Sequence, residues 1–399
     1  EAKRTMVWIQ PPGTPSVGHL LLDAYHATGD EYYYEAARKV ANTLIWGQLE
    51  CGGWNYVFDF AGENSLKSWY LEEFQHYYGN ATYDDAGTME AAKFLLRMYV
   101  EKNDAAFRPA LEKTIDFVLK SQYPVGGWPQ RYPLMHDHPF QGKKDYSSFI
   151  TLNDDVIPDA TEFLIQCYQA MGLQGVKEPI MRAMYLMISL QQGEPYAGWA
   201  DQYTVDDLKP AHARSYEPRS VNTGTTVRLI NLMMEYYKLT ADTRFLSGIP
   251  AAIHFLESMK LPESDVKKWK RQSNNPEAIL VPRFVDPDTG KPLYVHRKGS
   301  NVKNGTYYID QNIENTIGHY NSATFVNPSE LRRRYEEVKK IPVSELAKNS
   351  PFLQDQLVPL PKYYTRLRGK ATEEVARGLV KSLTKDGCWL SPLKSTSNP

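Results

Sequence analysis

EAARKVANTLIWGQLECGGWNY (residues 35–56), RPALEKTIDFVLKSQYPVGGWPQRY (residues 108–132) and KEPIMRAMYLMISLQQGEPYAGWADQY (residues 177–203) are three copies of one pattern. In each, apolar residues recur at three- and four-residue steps, the mark of a one-sided helix. Each helix then runs into a Gly-Trp loop, at Gly53-Trp54, Gly127-Trp128 and Gly198-Trp199. The tryptophans are 74 and 71 positions apart. Self-similarity at such a period signals a repeat architecture.

A second amphipathic segment precedes each copy: SVGHLLLDAYHATGD (16–30), GTMEAAKFLLRMYVEKND (87–104) and DDVIPDATEFLIQCYQAMG (154–172). A fourth, TGTTVRLINLMMEYYKLTAD (223–242), is partnered by AAIHFLESMK (251–260). The four carry Tyr25, Tyr99, Tyr168 and Tyr237 at matching places. The unit is therefore helix, short turn, helix, long loop. A lone hairpin cannot bury its apolar stripe, so copies must pack side by side. The expected fold is all-α: an (α/α) toroid or incomplete barrel of repeated helical hairpins, with long loops gathered at one end around a cleft. A solenoid is the alternative. Strand signals are few, and one small β-hairpin is expected in EAILVPRFVDPDTGKPLYVHRKGS (277–300), around the turn-rich Asp286–Gly290.

Composition shifts near Asn327. Residues 1–326 are expected to form the catalytic toroid, and 327–399 a helical and loop extension docked on it. Within that tail, ATEEVARGLVKSLTKDGCWL (371–390) repeats the helix-to-Gly-x-Trp pattern.

Lys plus Arg number 46 against 47 for Asp plus Glu, so no basic field recommends nucleic acid as a partner. An acidic polymer would need a local cluster of Arg or Lys. The 27 tyrosines and 8 tryptophans suit sugar faces and cores alike. Cys51, Cys167 and Cys388 lack the spacing of a zinc site, and sequence leaves open whether two of them form a disulfide. No stretch is long and apolar enough to span a membrane, so no membrane partner is expected. A start at Glu1 fits a trimmed mature protein.

Four loop clusters carry candidate chemistry. Asp84-Asp85 precede one helix, and Asn153-Asp154-Asp155 precede another at the same place in the repeat. Either cluster serves as a helix cap. If the two converge they form an oxygen-rich site for a hard cation or a pair of hydrolase carboxylates. Arg214 and Arg219 flank Glu217, where a guanidinium fork suits a substrate carboxylate or an ordinary ion pair. Arg283 and Arg297, with Lys291 and Lys298, add cationic residues on the expected hairpin. With Arg214 they would line a groove for a polyanion.

These loops resemble polysaccharide lyase family 10, the pectate lyases with an (α/α) toroid. The resemblance rests on GGWPQRYP (126–133), ITLNDD (150–155), WADQY followed by LKPAHARSYEP (199–218), and PRF followed by YVHR (282–297). It runs from about Tyr83 to Tyr308. It implies calcium-assisted anti β-elimination of polygalacturonate, giving 4,5-unsaturated oligogalacturonides. Arg214 matches the residue proposed as the base that removes the C5 proton, and Asp154 a carboxylate that holds calcium. Asp84 matches the acid near the cleaved bond, and Arg283 and Arg297 match arginines on substrate carboxylates. Asp85, Asn153 and Trp128 are added as expected substrate contacts. Arginine is ordinarily always protonated, so its role as base is carried by the resemblance alone. Asp84-Asp85 stands where the family usually shows Asp-Asn, and Val156-Ile157 where Ala-Met is common. Pectin or polygalacturonate is the implied partner, with a secreted or periplasmic monomer as the implied form. An inverting glycoside hydrolase on the same toroid and a non-catalytic pectin-binding protein are the rival readings.

Overall fold

Four helical hairpins stand side by side in the structure, a computed structural model describing residues 5–60, 80–134, 146–269, 271–299, 306–317, 321–354, 357–364, 372–385, 387 and 389. The first hairpin is α1 (Thr14–Thr28) with α2 (Glu31–Gly47), the second α3 (Gly87–Lys102) with α4 (Arg108–Ser121). The third is α5 (Val156–Met171) with α6 (Lys177–Ser189). The fourth is α7 (Thr223–Thr240) with the short α8 (Arg244–Ser247) and α9 (Ile249–Ser258). Helix α1 packs on α3 and α3 on α5, while α7 joins the row through α6. This is the expected all-α open toroid, with α1, α3, α5 and α7 as inner helices. Among the described residues, no helix is long and apolar enough to cross a membrane.

The Gly-Trp loop is the joint between hairpins. Trp54, Trp128 and Trp199 are buried, and each Nε1–H donates at 2.8 Å to a carbonyl of its own outer helix, at Leu44, Val118 and Met187. The glutamine after each outer helix (Gln48, Gln122, Gln191) donates from Nε2 to its own loop at Gly52, Gly126 and Ala197. The same amides also donate to the start of the next outer helix, at Ala110, Pro179 and Gly248. At Gly52 and Gly126 φ is 105° and 111°, and a Cβ would stand 2.2 Å from the carbonyl oxygen of Lys113 and 2.5 Å from that of Arg182. Gly126→Ala is therefore expected to destabilise the protein by about 1–3 kcal/mol, read as a lower urea midpoint with an unchanged m-value.

The joint recurs in the tail. Past α10 (Glu263–Lys268), α11 (Pro328–Lys339) and α12 (Val343–Ala347) comes α13 (Glu373–Ser382). Trp389 Nε1 donates at 2.7 Å to Leu379, and a Cβ on Gly387 would meet the carbonyl of Lys39 in α2 at 2.4 Å. Helix α13 thus stands to α2 as α2 stands to α4. Between these points the chain crosses the inner helices in reverse order. Ser350 Oγ donates to Leu239 of α7, and Phe352 stacks on Tyr168 of α5 at 5.2 Å. Arg97 of α3 donates to the Lys362 carbonyl at 2.8 Å, and Tyr364 stacks on His19 of α1 at 3.6 Å.

Short antiparallel ladders tie each Gly-Trp loop to the segment entering an inner helix. They are β1 (Met6–Trp8) with β2 (Val57–Asp59), β3 (Ala81–Thr82) with β4 (Arg131–Tyr132), and β5 (Ile150–Thr151) with β6 (Gln202–Tyr203). β7 (Val221–Asn222), which enters α7, has a different partner. β8 (Ile279–Pro282) follows, and then strands β9 (Phe284–Val285), β10 (Pro292–Lys298) and β11 (Thr306–Asp310) form with β7 a four-stranded sheet ordered β11-β10-β9-β7. The remaining β12 (Ala323–Val326) pairs with β8. The expected hairpin around Asp286–Gly290 is the β9–β10 pair. It belongs to a larger sheet than expected, because one partner is only two residues long and the other lies beyond the stretch that showed strand periodicity. Cys51 and Cys167 are free thiols, and Cys388 lies outside the described residues.

Candidate active site

The segments entering α3 and α5 share one unusual backbone shape. Asp85 and Ala86 have φ of 51° and 58°, and Asp154 and Asp155 both have 54°. The left-handed region costs non-glycine residues energy, and such strain collects at functional sites. Neither helix receives a side-chain cap from these turns, so capping does not explain the acids. The turns instead bring the two clusters together: one carboxylate oxygen from each of Asp84, Asp85 and Asp154 lies within 4.8 Å of the others.

Arg214, on the loop between β6 and β7, is set into this cluster. Its Nη2 is 2.7 Å from Asp84, and its Nη1 lies 2.9 Å from Glu217 and 3.7 Å from Asp154. Only 12% of the side chain is exposed. Glu217 also accepts from the Arg214 backbone N–H at 3.1 Å, so one buried carboxylate fixes both ends of the residue. Asn153 Nδ2 donates to Asp154 at 2.8 Å. Gln130 Nε2 donates to Asp84 at 3.2 Å, as does the Tyr56 hydroxyl at shorter range, and Gln10 Nε2 donates to Asp85.

The acids divide into unlike states. Burial pushes Asp84 up, but the Arg214 charge and the hydrogen bonds from Asp154 and Tyr56 outweigh it, leaving Asp84 below the usual carboxylate range. Burial, then the Asp84 charge, holds Asp154 well above that range. The same two causes push Asp85 up to about 6. Burial also raises Glu217, against the pull of Arg214. The two neighbouring carboxylates are thus driven apart, Asp84 toward the charged form and Asp154 toward the neutral one, as expected where positive charge is short. An all-oxygen donor set with surplus negative charge fits a hard divalent cation such as calcium.

The structure brings Arg214, Asp84, Asp85, Asn153 and Asp154 together. Asp155 turns outward to Arg228 at 2.8 Å, and Arg219 pairs with Asp288 at 2.7 Å. Arg283 and Arg297 lie on the strands beside the α7 entrance, Arg283 between β8 and β9 and Arg297 exposed on β10. Tyr307, opposite Arg297, meets the ring of Tyr216 at 5.4 Å and so joins that sheet to the Arg214 loop. Trp128 is a correction: its ring is fully buried with its N–H on Val118, so it closes a hairpin joint and offers no face to substrate. Glu217, Tyr56, Gln130 and Gln10 were not read as site residues. Gln130 and Tyr56 share a signal, since each sits two positions after a Gly-Trp tryptophan.

The family described as pectic acid lyase matches residues 69–318, more than half of the chain. The chain belongs to the pectic acid lyase family. It is accordingly a polysaccharide lyase, as the four loop motifs implied. Among solved structures it is similar to the family 10 polysaccharide lyase from Cellvibrio cellulosa. The TM-score is 0.54 at 18% identity, over 81% of this chain and 98% of that one. A mutant of the Cellvibrio cellulosa enzyme in complex with trigalacturonic acid gives a TM-score of 0.53 at 17% identity, over 82% and 98% of the two chains. At these identities the likeness shows a shared fold. No curated protein matches.

Proposed function

We propose that this pectic acid lyase cleaves α-1,4-polygalacturonate by calcium-assisted anti β-elimination, with Arg214 as the base. The observation that carries the reading is Arg214 itself: a nearly buried guanidinium set among the carboxylates of two strained, repeat-related turns. The galacturonate C5 proton is acidic because the adjacent carboxylate delocalises the charge left behind. Asp84, Asp85 and Asp154 would hold the cation. Bound there, it would neutralise the substrate carboxylate and stabilise the developing enolate.

Asp84 and Asp154 are also counter-charges that hold Arg214 as a guanidinium. Committed to the cation instead, they leave Glu217 alone to face it, and loss of the guanidinium proton, which must precede uptake of the C5 proton, becomes easier. Glu217 keeps the side chain aimed throughout. Arg283 and Arg297 are proposed to hold carboxylates of neighbouring galacturonosyl units. A monomer is proposed because one chain carries all these groups, and a secreted or periplasmic location because the proposed substrate is a polymer.

The inverting-hydrolase reading fits less well. Such a pair stands about 6.5–9.5 Å apart with water between. Here the carboxylate oxygens of Asp84 and Asp154 lie within 4.8 Å, with Arg214 on both. The deciding experiment follows ultraviolet absorbance of polygalacturonate at alkaline pH, with calcium and with a chelator. A rise that the chelator stops is expected; new reducing ends without absorbance would favour the hydrolase.

Calcium uptake should depend on pH. Asp154 and Asp85 hold protons more tightly than ordinary carboxylates, and a bound cation must displace them. Affinity is therefore expected to rise with pH through the Asp85 value of about 6 and to go on rising until Asp154 has also lost its proton. Calorimetric calcium titrations at acid and alkaline pH check this. Equal affinities would show that the carboxylates are not the ligands.

A further inference from the structure

Trp8 is 49% exposed at the end of β1. Its place in the repeat is the clue. β1 enters α1 as β3 enters α3 and β5 enters α5, and the backbone bonds correspond. Ile9 N–H donates to Tyr56, Tyr83 N–H to Gln130, and Leu152 N–H to Asp201. Gln10 therefore matches Asp84 and Asn153, and the first hairpin supplies the third corner of the same rim. Two contacts confirm the placement: Gln10 Nε2 donates to Asp85, and the Trp8 ring lies along that of Tyr56, 6.4 Å between centroids and 11° from parallel. The Tyr56 hydroxyl in turn donates to Asp84. One aromatic ring thus separates Trp8 from the acidic cluster. It stands on the α1 side, away from the β10–β11 strands beyond α7.

A single exposed aromatic needs no explanation by itself. This one ends the strand that delivers a site residue, and it is tied to the site through two neighbours. An indole with a free face suits a sugar ring. In the galacto configuration the axial 4-hydroxyl leaves the C3, C4 and C5 hydrogens on one face, an apolar patch that stacks on indole.

We propose that Trp8 is a stacking platform for a galacturonosyl unit next to the one being cleaved, fixing where the polymer leaves the site on the α1 side. The inference rests on the polygalacturonate reading above. Trp8 lies outside residues 69–318, which match the family, so the platform belongs to this chain's own N-terminal segment.

The test compares wild type, Trp8→Ala and Trp8→Phe on polygalacturonate by product absorbance, with thermal unfolding alongside. Trp8→Ala is expected to raise KM about tenfold with little change in kcat or unfolding temperature, and Trp8→Phe to recover most of the loss. An unchanged KM in Trp8→Ala would overturn the platform. So would a fall in kcat with lower unfolding temperature in both variants, which would make Trp8 a packing residue beneath Tyr56. A wild type with no absorbance product would overturn the substrate reading itself, and the platform with it.

Discussion

Arg214→Ala is expected to lower kcat on polygalacturonate by about a thousandfold while calcium binding persists. Two roles meet in this side chain. On the proposed reading it is the base for the C5 proton, and in the structure it is the cation facing Asp84, Asp154 and Glu217. Removing it deletes the base and leaves surplus negative charge among the acids. That surplus favours a bound cation, so calcium affinity should hold or rise. Arg214→Lys should fare little better, because one ammonium cannot fork to Asp84 and Glu217 together. Product absorbance gives kcat and calorimetry gives calcium affinity. Weak substrate binding with unchanged turnover at saturation would assign Arg214 to binding alone.

The largest loss of stability is expected at Lys93→Met. Lys93 is 1% exposed, with its Nζ 2.9 Å from Asp159 and in contact with Glu162, and so links α3 to α5 through the interior. Methionine fills similar space but removes the counter-charge of a carboxylate that is itself buried. Breaking such a pair from one side costs about 3–5 kcal/mol, whereas replacing both partners with apolar residues is often neutral. The double variant Lys93→Met with Asp159→Leu should therefore recover much of what the single variant loses. Urea unfolding of both reads the difference. Equal losses in single and double variants would show that the ion pair contributes through shape and not charge.

Much of the fold was legible because it is written in repeats. Helix periodicity placed all four hairpins, and equivalent acids before α3 and α5 pointed to one site. What stayed hidden depends on closure in space. The N-terminal loop carrying Gln10 meets Asp85 only when α1 packs on α3. Glu217 looked like an ordinary partner for either arginine, and only the loop geometry shows it gripping Arg214 at backbone and side chain. Trp128 was misread through its motif neighbours. The better signal was its recurrence, because a tryptophan repeated at Trp54 and Trp199 serves what every hairpin needs, a joint, and not what a single site needs.

The docking of α13 against α2 also has a consequence in time. Helix α2 ends at Gly47, but the side of it that meets Gly387 has no partner until residues 373–389 have been synthesised. At about 5–20 residues per second that interval is on the order of tens of seconds. Throughout it the first hairpin carries an uncovered apolar flank. The first hairpin of the toroid is among the last to be sealed, and the nascent protein stays open to aggregation along that flank until α13 is in place.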